Sequence, residues 1–140
     1  MQQMAFTFSC RAFGAVICAM LAGLAAAFAA GETSFPYGQD LLLDVQPMRG
    51  SKRIPIVEID EDGTAIIDLW CDRVEGRAEV SGNALTITPI SRAGADCPPE
   101  RAQADEEMIE ALQQVTGWRR SGESVVLLGP RAMNFRLPTN

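Results

Sequence analysis

The chain has no histidine at any of its 140 positions, so it lacks the side chain that most often serves as general base or metal ligand near neutral pH. No Gly-x-Ser-x-Gly elbow, phosphate-cradling glycine loop or dinucleotide fingerprint occurs, and the common nucleophile and nucleotide sites are missing with them. Positive charge is scarce, with 12 bases against 18 acids. Nucleic acids and anionic membranes are held by a positive field, which this chain does not offer. Acids are themselves absent from residues 1–30, where Arg11 is the sole charge.

That first stretch differs in kind from the rest. From Ala12 to Ala30 every residue is apolar or glycine apart from Cys18, and Ala27-Phe28-Ala29 places small residues where a signal peptidase needs them. The pattern predicts a signal peptide over residues 1–29, cut after Ala29. A retained membrane anchor is the competing reading, but the run is Ala- and Gly-rich and has no basic cluster on its far side. A lipid anchor fits less well, because Ile17 precedes Cys18 where a small residue is required. All 18 acids and 11 of the 12 bases follow the leader, a formal charge of −7 for what remains. A soluble monomer of the periplasm or medium is expected, without stable membrane insertion after cleavage.

Two cysteines, Cys71 and Cys97, lie beyond the leader. An even count in an oxidising compartment invites one disulfide. A redox pair is the alternative, although redox motifs hold their thiols two residues apart at a helix start. Closing a loop of this size stabilises a domain by roughly 3–4 kcal/mol in the chain-entropy model.

Residues 30–39 read as a lead-in, and residues 40–140 as one domain. Short apolar runs between turn residues mark antiparallel strands over 40–45, 54–59, 64–71, 77–81, 85–89, 124–128 and 132–137. Gly63, Gly76 and Gly82 are the expected turn glycines, with 74–76 as a turn and Gly82-Asn83 as a hairpin loop. Between the fifth and sixth runs the period changes. Pro98-Pro99 opens a helix whose core stripe is Met108, Ile109, Leu112 and Val115, with Gly117 as its stop. Asp105, Glu106, Glu107 and Glu110 are placed off that stripe, in solvent. The expected fold is mainly β (α+β): a small antiparallel barrel-like sheet of about seven strands, with one helix packed across an opening.

Asp68-Leu69-Trp70-Cys71-Asp72 with Gly76, Ala95-Asp96-Cys97-Pro98-Pro99-Glu100, and the pattern from Ala111-Leu112 through Val125-Leu127 to Met133-Phe135 together resemble the META/HslJ family over residues 40–137. Gly50-Ser51-Lys52-Arg53, Leu69-Trp70-Cys71 and Trp118-Arg119-Arg120 resemble its exported α-proteobacterial subgroup. The resemblance implies a barrel-like fold with one helix, an envelope location and no established enzymatic activity. Its members are tied to heat shock, drug tolerance or secretion. Asp72 departs from the family's usual asparagine, and the tryptophan of the first strand is absent.

Few residues invite a sharper role. Trp118-Arg119-Arg120 is either an aromatic-cationic binding patch, to which Trp70 could add, or a strand with Trp118 turned inward. Asp60-Glu61-Asp62-Gly63 looks like a calcium loop, but Leu69 stands where the bidentate glutamate belongs, so a turn is the better account. Arg49, Lys52 and Arg53 read as solvated. The expectation is therefore a non-enzymatic envelope protein of the binding or stress-support kind, with no catalytic residue, metal or cofactor. Its partner would be an envelope protein or a small ligand. A thiol sensor using Cys71 and Cys97, or a small-ligand carrier, is the alternative.

Overall fold

A computed structural model describes residues 34–139; the expected leader, its cut after Ala29 and the start of the lead-in lie outside them. Eight strands and one helix follow in order: β1 (Leu41–Leu43), β2 (Ile56–Ile59), β3 (Thr64–Asp68), β4 (Arg73–Ser81), β5 (Ala84–Arg92), α1 (Pro99–Gln113), β6 (Gly117–Ser121), β7 (Ser124–Leu128) and β8 (Met133–Arg136). Each strand pairs antiparallel with the next, and β8 returns to β1, so the sheet closes into a barrel. The strand beyond the expected seven is β6, which makes Gly117 a strand start rather than a helix stop.

Closure follows from two-residue alternation. In β4, Val74 and Ala78 point inward between the exposed Arg73, Glu75, Arg77 and Glu79, the period of a strand with one face in a core. Leu41, Val57, Ala65, Ile67, Val74, Leu85, Val125 and Leu127 all have 0 % exposure, so the interior is filled. Eight strands enclose a space just wide enough for such side chains. Trp118 and Phe35 meet edge to face at 5.1 Å within the same core.

Two turns behave as read. Gly63 has φ +83° and closes the β2–β3 turn, with its amide donating to Asp60 O at 3.0 Å. Thr64 N donates to Asp62 Oδ1 at 2.7 Å, so the calcium-like motif is a hydrogen-bonded turn. Gly82 has φ +57° in the β4–β5 loop.

Gly76 is not a turn glycine. Residues 74–76 lie inside β4, where the register shifts between Glu75 and Gly76. A Cβ there would sit 2.6 Å from Thr88 O, so glycine lets β5 come close. The chain reverses earlier instead: β3 ends at Asp68, and Leu69 N donates to Asp72 O at 2.9 Å across the corner.

The ring has one thin link. Although β5 has nine residues, only Ala84 is in register with β6, opposite Gly117. The bonds Leu85 N to Thr116 O (3.2 Å) and Trp118 N to Asn83 O (2.9 Å) flank that pair. β5 also lies against α1. Proline at the first helical turn opens α1 without a side-chain cap, and Pro98 O accepts the Arg101 and Ala102 amides.

Candidate functional site

The loops at one end of the barrel carry most of the chemistry-bearing residues. Cys71, in the β3–β4 corner, is disulfide-bonded to Cys97, just before α1, with their Cα atoms 5.9 Å apart. The bond staples a sheet corner to the helix start. Asp105 lies one turn and a half into α1 and has 0 % exposure. Its Oδ2 accepts the amides of Cys71 (3.3 Å) and Asp72 (2.9 Å), while its Oδ1 is buried without a hydrogen-bond partner. The solvent-facing placement expected for Asp105 is therefore wrong. It sits three, four and seven positions before Met108, Ile109 and Leu112, on the buried stripe itself.

Asp72 completes the node. Its Oδ1 accepts the amides of Arg73 (2.8 Å) and Ala95 (3.2 Å), and Arg92 Nε stands 3.4 Å from its Oδ2. Burial pushes this carboxyl up. The two amides and the Arg92 charge outweigh that and hold it below its ordinary value. Arg92 also pairs with Glu106 of α1, a bond that raises the guanidinium further. One arginine on β5 thus joins the corner to the helix. Arg53 is exposed, as expected, and also donates through Nη1 to Cys71 O at 2.8 Å.

Beside the node, a cleft of about 360 Å³ opens between α1 and the strand ends. Leu43, Val45, Met48, Trp70, Met108 and Met133 form its apolar wall, and Asp44, Glu107 and Arg131 supply charge. Val45 is 42 % exposed at the mouth of this cleft. Trp70 is a buried wall residue. The strings in which Trp70 and the other cleft residues lie are far apart in sequence, and no spacing announces the cleft.

The supposed patch does not assemble as an exposed surface. Trp118 is 2 % exposed, and its indole N–H donates to Gly82 O at 2.8 Å, so an inward strand residue is what the structure shows. Arg119 is exposed, and Arg120 Nε donates to Gly122 O at 2.8 Å in the β6–β7 turn. Among the described residues, Cys71, Cys97 and Asp105 are the group whose ligand atoms converge, all within 4.8 Å of one another. No helix among these residues is long and apolar enough to cross a membrane.

Comparison with known proteins follows the same lines. No curated protein matches the chain. A protein whose structure was solved by NMR is similar at 16 % identity and a TM-score of 0.57, over 71 % of this chain and 88 % of that one. A crystal structure of a DUF4847 family protein from Bacteroides vulgatus is similar at 18 % identity and a TM-score of 0.48, over 59 % of this chain and 57 % of that one. The model of the META domain matches residues 39–137, a span that takes in every strand, the disulfide node and the cleft. By that match the chain belongs to the META domain family.

Proposed function

We propose that the protein is a non-catalytic binding module of the cell envelope, and that the cleft between α1 and the barrel rim receives a small, largely apolar ligand. The observation that carries this reading is the cleft itself: about 360 Å³, apolar-walled and open to solvent, beside a barrel that is otherwise filled. Ligand sites are concave, mostly apolar spaces of a few hundred Å³ with a few fixed polar groups. Met48, Met108 and Met133 give the wall adaptable, polarisable surface. The buried side chains that fill the barrel favour the cleft over the barrel interior as the place for a ligand.

The envelope location rests on the leader-like run over residues 1–29 and on a disulfide suited to an oxidising space. In this reading the cleft holds a ligand and does not transform it. N-terminal sequencing of the protein from a periplasmic extract tests export. A start at Ala30 supports it, and a retained Met1 overturns it.

Binding is tested with phenylnaphthylamine, an uncharged apolar fluorophore. The native protein is expected to take up one equivalent with enhanced emission. Ala104→Trp, which places an indole in the cleft, is expected to abolish uptake without lowering the unfolding midpoint. No uptake by the native protein, or equal uptake by the variant, overturns the assignment.

A further inference from the structure

We propose that Cys71, Cys97 and Asp105 form a zinc site that the disulfide holds shut: once the bond is reduced, the two thiolates and Asp105 Oδ1 bind one Zn²⁺, with water at the fourth position. This inference stands apart from the cleft and its ligand.

Three observations converge. The two sulfurs and a carboxylate oxygen already lie within 4.8 Å of one another. Tetrahedral zinc takes sulfur at about 2.3 Å and carboxylate oxygen at about 2.0–2.2 Å, which sets ligand atoms roughly 3.5–3.8 Å apart. The bonded sulfurs therefore need only part by a small loop movement, and both cysteines sit in connections outside the strands and helix. The second observation is the orphaned oxygen. Asp105 has 0 % exposure, and its Oδ1 faces no donor while Oδ2 is fixed by two amides. A buried acceptor without a partner costs free energy unless something meets it. A cation between the sulfurs and Oδ1 would meet it. Finally, Cys71 and Cys97 are partly exposed, so a reductant and a metal ion can both reach them.

The chemistry balances. A dithiol reductant supplies two electrons and two protons; its own sulfurs become a disulfide, the Cys71–Cys97 bond breaks, and two thiols form. Zn²⁺ then displaces both thiol protons to solvent. Two soft thiolates and one carboxylate suit zinc over magnesium or calcium.

The test uses the purified protein, oxidised or reduced with a dithiol that is then removed, titrated with Zn²⁺ against a chromophoric chelator. The reduced protein is expected to bind one equivalent and the oxidised protein none. Asp105→Asn keeps the acceptor for the two amides, and it is expected to weaken reduced-state binding at least about tenfold, the scale of a lost metal-site interaction. Zn²⁺ should also raise the thermal midpoint of the reduced wild-type protein and leave the oxidised protein unmoved, a readout independent of how the variant folds. Cobalt substituted for zinc should give thiolate charge-transfer bands and the intense visible bands of a tetrahedral ion. Equal zinc binding by both redox states, no binding by either, or an unweakened Asp105→Asn overturns the proposal.

Discussion

The Asp105 carboxylate and the Asp72 amide meet at 2.9 Å although 33 positions separate them. With the Cys71 amide on the same oxygen, one helical side chain satisfies two amides of the β3–β4 corner. Backbone amides buried at a corner must find an acceptor somewhere, and here the acceptor comes from α1.

Removing that acceptor should be costly. Asp105→Ala strands two amides and is expected to destabilise the oxidised protein by about 2–3 kcal/mol, the scale of buried groups left unpaired. Asp105→Asn, which can still accept both bonds, is expected to lose less than about 1 kcal/mol. Urea unfolding of the two variants checks the pair. An equal loss in both would mean that the charge, and not the acceptor, holds the corner.

The disulfide closes a loop with a sequence separation of 26. The double variant Cys71→Ala/Cys97→Ala should lower stability by about 3–4 kcal/mol, mainly by freeing the unfolded chain. Non-reducing and reducing urea melts of the wild-type protein should differ by a similar amount, while the double variant should show no difference between them.

Asp72 makes stability depend on pH. Its folded carboxyl lies below the ordinary value of 3.8, so the folded state binds its proton less readily than the unfolded state does. The stabilisation is therefore full above 3.8 and fades as the pH falls through the folded value. Asp72→Asn is expected to be less stable than wild type near neutral pH, with the gap narrowing at acid pH. Asp62, lowered by the Thr64 amide, acts in the same direction and leaves the variant a residual slope. Urea midpoints measured across the acid range report both.

Gly76→Ala probes the close approach of β4 and β5. With Thr88 O at 2.6 Å and Pro89 Cα at 3.2 Å from the added methyl, backbone must give way. Overpacking of this kind costs about 1–3 kcal/mol. Gly82→Ala meets no atom within 4 Å and suffers only from its positive φ, so it should be the milder change by thermal unfolding.

Much of the barrel was legible because strand alternation is a local signal. Val57 and Ile59 in β2, and Ala65 and Ile67 in β3, announce an inner face by alternation, and all four are buried. The polarity of Asp105 argues for solvent, but its spacing from Met108, Ile109 and Leu112 puts it on the inward stripe, and position wins because the corner amides supply partners for its carboxylate. The turn at residues 69–72 was missed because Leu69 and Trp70 look like strand residues; they are buried by the corner and the cleft instead. The cleft could not be read at all. It joins residues near 45, 70, 108 and 133, which no periodicity connects.

The single register pair of Ala84 with Gly117 makes the β5–β6 junction the thinnest link of the barrel. Beyond Leu85, β5 has no strand neighbour on that side among the described residues. The helix lies against β5 and is tied to its end by the Arg92–Glu106 pair. The Cys71–Cys97 bond and the Arg92–Glu106 pair therefore act as two independent ties on α1, one to the β3–β4 corner and one to the end of β5, at the place where the ring of strands is thinnest.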